Sequence, residues 1–449
     1  MSEKYDLCIK NARVIDTKNF IDEILNIGIT KNKISILTKG ELCAFDYIQA
    51  DGCVACAGFI DIHTHEDTID TEGIGCDLPI QTAQSSLMTG CTTIVTGNCG
   101  LSNYPVSEYY NKVKEANIMI NCYTCIGNVT LRHLVGLDNY TAAGKEQIEK
   151  MKNLASKSLD EGAVGISFGL QYAPGTTFEE LLALFSVAAQ KDKYVCVHMR
   201  YDFPERAVET VSEVVSAAER TNVSLQISHL AANVYGNDNI KKAAEIIKNS
   251  KANISADVYP YNVWATSIKS AVFDDGFKNF NFNVEDVEIL SGDLSGQFCT
   301  EEIFNSLRSS EEDTSVACHN AMPISDVQEA YKLPFVFVAS DGQLKRDENG
   351  IVKGHPRGSS TPAEFLHKFV REENLMSLNE AINKLTYMPA KKCNFINKGS
   401  IASGDDADIT IFNFNEIEER ANFGENKCAI PPNGIKYVIA GGKIVYATI

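Results

Sequence analysis

The chain has 449 residues, of which 44% are hydrophobic and 22% charged, enough to bury a large core and too apolar for a disordered chain. Its 41 Lys and Arg against 59 Asp and Glu give a net charge of -18, which disfavours a nucleic-acid backbone or an anionic membrane as partner. No stretch approaches the roughly 20 apolar residues of a membrane helix.

The start, Met1 to Asp6, lacks a basic region followed by an apolar one, so a cytoplasmic protein is expected. Fourteen cysteines then read as thiols of a reducing compartment, not as a disulfide framework. From Tyr5 to about Ala57 short alternating runs such as Leu7-Cys8-Ile9 and Ile34-Ser35-Ile36-Leu37 predict a small β-sheet region. Two C-x-x-C pairs, Cys53 with Cys56 and Cys122 with Cys125, could on paper build a structural zinc site. Both lie in apolar strand-like runs, where positions i and i+3 face opposite ways, so core cysteine is the expected role.

Gly58-Phe59-Ile60-Asp61-Ile62-His63-Thr64-His65 ends an apolar run with two histidines one residue apart. In a strand such residues share a face, so His63 and His65 can address one ion. Later strand-like runs also end in potential ligands: Cys99 after Thr92 to Asn98, His198 after Tyr194 to Val197, His229 after Ser224 to Ser228, and Asp341 after Phe335 to Ser340. Between them lies helical periodicity at Lys145 to Asp160, Thr177 to Lys191, Glu205 to Glu219 and Asn239 to Ser250. Strand followed by helix, repeated, predicts a parallel sheet with crossovers.

Ligand candidates at several strand ends favour a closed metal-dependent (β/α)8 TIM-type barrel of about 250 to 400 residues. A doubly wound open sheet would gather its site at one switch point. From about Ser270 to Ser325 the rhythm breaks and Phe, Asp and Asn accumulate, which reads as an insertion or lid. From Lys398 to Ile449 only short strands return, around the Gly441-Gly442 turn. The expected division is residues 1–57 and 398–449 as a β-sandwich built from both chain termini, with residues 58–397 as the catalytic barrel.

Nitrogen, sulfur and carboxylate donors together suit Zn(II) and suit Mg(II) or Ca(II) poorly. A bound zinc can lower its water's pKa to about 7 and polarise a scissile carbonyl, and a nearby carboxylate can move the proton. Asp341 is the candidate for that proton transfer.

The sequence resembles the amidohydrolase superfamily and, within it, the D-aminoacylase (N-acyl-D-amino-acid deacylase) family over nearly its whole length. The matching pieces are G-F-I-D-I-H-T-H-E-D at 58–67, T-T-I-V-T-G-N-C-G at 92–100, G-L-Q-Y-A-P-G at 169–175, H-M-R at 198–200, I-S-H at 227–229, Y-P-Y at 259–261, S-D-G at 340–342, H-P-R at 355–357 and K-G-S-I-A-S-G-D-D-A-D-I at 398–409. The G-N-C-G turn and H-P-R are the most specific of these. The resemblance implies a tightly held zinc at Cys99, His198 and His229, and a second, often weaker or partly occupied site at His63, His65 and Asp341, with the thiolate able to bridge.

The resemblance also implies that Arg357 grips the carboxylate of a small-molecule substrate, a role suited to a guanidinium fork; a surface ion pair is the alternative. Tyr259 is expected near the substrate or in core packing, Tyr172 and Gln171 in a loop lining the pocket, and His355 in a structural role. Several departures bear on the substrate. Where the family has S-H-H-K this chain reads Ser228-His229-Leu230-Ala231, Asn128 stands where a histidine is usual, and Asn262-Val263-Trp264-Ala265-Thr266 replaces a run of small residues. The implied activity is zinc-dependent hydrolysis of an N-acyl-D-amino acid. Hydantoinase-like cyclic amidase or dipeptidase chemistry, and a silent scaffold of the same fold, are the alternatives.

Overall fold

A computed structural model describes residues 4–65, 74–75 and 78–448. Glu66 and Asp67, the last two residues of the first matching motif, lie outside the described residues.

The two ends of the chain meet in one sheet of eight strands. Lys4–Asp16 and Ile21–Thr30 pair antiparallel, with Leu7 opposite Ile29 and Ile9 opposite Ile27. Val54–Ala57 lies between Lys4–Asp16 and the C-terminal strand Ile409–Phe412, which continues the sheet to Ile435–Ala440 and Lys443–Ala447. Alternation along Lys4–Asp16 turns Tyr5 and Leu7 inward and leaves Lys4 and Asp6 in solvent. Ile9, Ile27, Ile29, Ile409, Ile411 and Ile439 form the core between these ends. Each such side chain contributes about 1.5–3 kcal/mol by burial, and that joins segments separated by most of the sequence. The last hairpin turns at Gly441 and Gly442, whose φ angles of 55° and 78° suit the twist of a two-residue turn. A Cβ at Gly442 would stand 1.8 Å from the Lys31 carbonyl oxygen.

The middle of the chain holds two all-parallel sheets. One is ordered Asn121–Thr124, Cys91–Thr96, Phe59–Asp61. The other runs Ile126–Gly127, Gly165–Gly169, Tyr194–His198, Ser224–Ile227, Ile254–Val258, Val336–Val338. Backbone hydrogen bonds cross both seams between them: Cys125 N to Thr96 O and Val164 N to Thr124 O at 2.9 Å on one side, Asp341 N to His63 O at 2.8 Å and His65 N to Gly342 O at 2.9 Å on the other. Most of these strand residues are buried, which is why they read as continuous apolar runs.

The helices Lys145–Asp160, Phe178–Gln190, Ala207–Thr221 and Asn239–Asn249 cover the sheet. In the first, Ile148, Met151, Ala155 and Leu159 form the buried stripe expected of period 3.6. Thr177 caps the second by accepting from Glu180 N. The third begins at Ala207, not Glu205, because Pro204–Arg206 forms a 3-10 turn ahead of it. Among the described residues no helix is long and apolar enough to cross a membrane.

The break in rhythm falls within the last parallel crossover, between Ile254–Val258 and Val336–Val338, and corresponds to a small antiparallel sheet ordered Trp264–Ser267, Ser315–Cys318, Val287–Ile289, which starts before the predicted insertion. Phe273, Phe277, Phe280, Phe282 and Phe304 pack around Trp264 and one another at ring separations of 4.9 to 6.5 Å. That explains the local wealth of phenylalanine. Cys56, Cys122 and Cys125 are buried free thiols, as expected of core cysteines. Cys53 departs from that expectation: it precedes the strand Val54–Ala57 and stays partly exposed.

Candidate metal centre

His63, Cys99, His198, His229 and Asp341 all sit at or just beyond the carboxyl ends of parallel strands, the end at which open and closed parallel sheets build their sites. Three of them hold the backbone in the left-handed region: Cys99 at φ 51°, His229 at 34° and Asp341 at 51°. Such positions cost about 1–3 kcal/mol each and persist where the surroundings impose them. Gly97, two residues before Cys99, is at φ 73°, and a Cβ there would meet the Cys125 carbonyl oxygen at 2.5 Å.

One donor atom from each of His63, Cys99, His229 and Asp341 lies within 4.8 Å of the others. Cys99 Sγ is 3.3 Å from His63 Nε2 and 3.8 Å from His229 Nε2, and Asp341 Oδ1 is 3.2 Å from His63 Nε2 and 2.8 Å from His65 Nε2. His198 stands beside this group, its ring 4.6 Å from that of His229. Its Nδ1 is buried and has no hydrogen-bond partner.

The imidazole nitrogens not facing the group are held by oxygens. His63 Nδ1 is 3.1 Å from Asp257 Oδ1, His229 Nδ1 is 3.0 Å from Asn233 Oδ1, and His198 Nε2 is 2.7 Å from Gln171 Oε1. Each of these oxygens accepts a hydrogen bond from its ring nitrogen, so in the neutral rings the lone pairs of His63 Nε2, His229 Nε2 and His198 Nδ1 are left toward the centre. This is the support that metal-bound histidines require. An orphaned buried nitrogen with a lone pair, among a thiol and a carboxylate, fits a thiophilic divalent cation.

Electrostatics agree. Burial alone would push the Cys99 thiol up, but the charge of His63 and hydrogen bonds from His229 and His63 outweigh it and hold the thiol well below its ordinary range. Asp341 behaves alike: burial opposes ionisation, and the charges of Arg357 and His63 overcome it. His65 is pushed up to about 9, burial being outweighed by its bond to Asp341 and by Cys99. Two anions surrounded by imidazoles are thus prepared for a cation in place of protons.

Residues that the sequence did not single out hold this arrangement. Asp257 accepts from His63 Nδ1, from His229 N at 2.8 Å and from Gln226 Nε2 at 2.8 Å. Asn98 Nδ2 donates to the carbonyls of Ile62, Thr64 and Val95 at 3.0 to 3.3 Å, tying the Cys99 turn to the His63 strand. Asp61 accepts from the backbone of His63 and Ser340. Asn98 and Asp61 lie inside recognisable motifs; Asp257 had only its place at a strand end as a signal.

Arg357 is buried, with Nη2 2.9 Å from Asp341 Oδ2, so the surface ion pair is excluded. Its Nε and Nη1 have no hydrogen-bond partner, and its guanidinium lies 4.6 Å from the ring centre of Tyr259. The Tyr259 hydroxyl is likewise buried without a partner. Tyr172 packs its ring 4.5 Å from that of His198, and its hydroxyl is 3.4 Å from Thr266 Oγ1. His355 donates from Nε2 to Val263 O and accepts at Nδ1 from Arg357 N, which fixes the turn that carries Arg357. A cleft beside the centre is lined by Tyr172, His198, Asp202, His229, Tyr259 and Asp341, among others.

Known proteins share this arrangement of chain. An N-acyl-D-glutamate deacylase of Alcaligenes xylosoxydans xylosoxydans is 26% identical, over 99% of this chain and 94% of its own. A D-aminoacylase of the same organism is 25% identical, over 94% and 91%. The crystal structure of N-acyl-D-glutamate deacylase from Bordetella bronchiseptica, complexed with zinc and a phosphonate inhibitor, superposes with a TM-score of 0.86 at 23% identity, covering 99% of this chain and 97% of that one. D-hydantoinase matches more loosely, with a TM-score of 0.60 at 16% identity over 98% and 95%. The model of the amidohydrolase family matches residues 54–445, and the chain belongs to that family.

Proposed function

We propose that the protein is a zinc-dependent deacylase of N-acyl-D-amino acids, releasing a carboxylate and the free D-amino acid. The observation that carries this reading is the convergence of Cys99, Asp341 and the histidines, with the outward nitrogens of His63, His198 and His229 each held by an oxygen. Such support is superfluous for a scaffold protein. In this reading the two parallel sheets are parts of one (β/α)8 barrel spanning 58–397, with the insertion at about 270–325. The eight-stranded sheet is the core of a β-sandwich domain from 1–57 and 398–449.

Cys99, His198 and His229 would hold the tighter zinc, and His63, His65 and Asp341 a second, weaker one. Bound there, the metal supplies Lewis acidity and an activated water at neutral pH. Asp341, held as a carboxylate, takes the proton of the attacking water and delivers it to the departing nitrogen. Arg357 offers its unpartnered Nε and Nη1 to the substrate carboxylate, and Tyr259 its hydroxyl to a substrate oxygen. Tyr172 flanks the bound molecule. The D configuration is supported by the names of the relatives.

Cyclic amide or dipeptide hydrolysis draws on the same residues, and the missing cation at Ala231 favours a changed substrate; the looser D-hydantoinase superposition weighs against it. Two measurements test the reading. Metal analysis should find stoichiometric zinc in the purified protein and its loss in Cys99→Ala. Chiral product analysis on N-acetyl-D and N-acetyl-L amino acids, beside hydantoins and dipeptides, should find free D-amino acid only. Zinc-free wild-type protein, or turnover confined to hydantoins, would refute it.

A further inference from the structure

Two carboxylates, Asp202 and Asp341, line the cleft, and no lysine or arginine is among its lining residues. Asp341 is occupied by His63, His65 and Arg357. Asp202 is not occupied in that way. It is 6% exposed, and the hydrogen bond it accepts comes from a neutral amide, Gln171 Nε2 at 2.6 Å. Among the described residues no lysine or arginine forms an ion pair with it.

A carboxylate in that position is costly to keep charged, and burial pushes its carboxyl up to about 7. The short helix Leu230–Asn233, whose Ala232 and Asn233 line the same cleft, brings no cation to it. The cleft is therefore short of one positive charge. Tyr172 and Trp264, also in its wall, offer aromatic surface against which an aliphatic stem can lie and to whose rings a cation is attracted.

We propose that Asp202 sets side-chain specificity, and that the site takes N-acyl amino acids whose side chain ends in a positively charged nitrogen, an ammonium or a guanidinium. The inference rests on the deacylase reading. The substrate's own carboxylate goes to Arg357, and its side-chain cation supplies the partner that Asp202 lacks. An acidic side chain, by contrast, brings a further carboxylate into the cleft beside Asp202 and Asp341, with Arg357 already taken by the substrate's own carboxylate and no lining lysine or arginine to receive it, which is rejection by like charge. The site would then differ in substrate from relatives named for N-acyl-D-glutamate, although the fold is shared.

The test uses the zinc-loaded protein with N-acetyl-D-lysine, N-acetyl-D-arginine, N-acetyl-D-methionine and N-acetyl-D-glutamate. The basic substrates are expected to exceed methionine by at least about tenfold in kcat/KM, with glutamate lowest, as a buried charge pair affords. Asp202→Asn keeps an oxygen that can accept from Gln171 and removes the charge; it should lower the lysine-to-methionine ratio at least about tenfold, chiefly through KM. Preference of the wild-type protein for methionine or glutamate overturns the inference without any variant. An equal fall on all substrates in Asp202→Asn also overturns it, because the residue then only positions Gln171. Turnover of none of these compounds, or of their L counterparts alone, refutes the deacylase reading itself.

Discussion

His198 Nε2 and Gln171 Oε1 are 2.7 Å apart, and this one contact decides which nitrogen of His198 is available to a metal. Gln171 Nε2 donates to Asp202 Oδ1 at 2.6 Å, which fixes the amide with its oxygen toward the imidazole. The oxygen can only accept, so Nε2 carries the proton and the buried, unpartnered Nδ1 carries the lone pair.

Gln171→Leu should therefore weaken zinc binding while leaving the fold intact, because Leu keeps the volume and frees the imidazole tautomer. A loss of about 10- to 100-fold in metal affinity is expected for removal of such a support. Competition against a chromophoric chelator reads it directly. Unchanged affinity would show that Gln171 does not orient His198.

Asp341→Asn should retain metal at the tighter site and lose turnover by at least about 10² fold, the contribution of a positioned proton-transfer group. Zinc analysis and kcat on the same preparation separate the two effects. Equal activity in the variant would remove the proton-transfer role.

For Arg357→Ala the expected effect is a rise in KM of at least about tenfold, from loss of a charge-assisted contact worth roughly 1.5 to 3 kcal/mol. A comparison with substrates lacking the free carboxylate checks the assignment: they should be insensitive to the variant. A uniform loss on both kinds of substrate would assign Arg357 to Asp341 alone, to which it is bound at 2.9 Å.

Zinc affinity should increase with pH. His65 is raised to about 9 by the groups around it, so below that value a proton must leave before the imidazole can bind a metal. His63 is raised as well, burial being outweighed by Asp257, Asp341 and Cys99. Binding then releases protons, and affinity falls as pH falls below about 9. Titration calorimetry in buffers of different ionisation enthalpy counts the protons. Zero release at neutral pH would contradict these shifts.

The strand ends, the H-x-H pair and the alternation of strand and helix were legible in the sequence because each is a local pattern. Period 2 puts His63 and His65 on one face, and period 3.6 puts Ile148, Met151 and Leu159 on another. The meeting of Lys4–Asp16 with Ile409–Phe412 in one sheet was suggested by short strands at both ends that could not bury a face alone.

Tertiary structure alone decided the rest. Asp257 lies 194 residues from His63 and Arg357 touches Asp341 through a turn held by His355; no periodicity reports a partner brought in by another strand. Burial removed the surface ion pair as a reading of Arg357 and left it an unfinished hydrogen-bonding group, and it left Asp202 buried without a cationic partner. Donor type is written in the chain, but the direction of a lone pair and the cost of an unpaired charge depend on what packs against them.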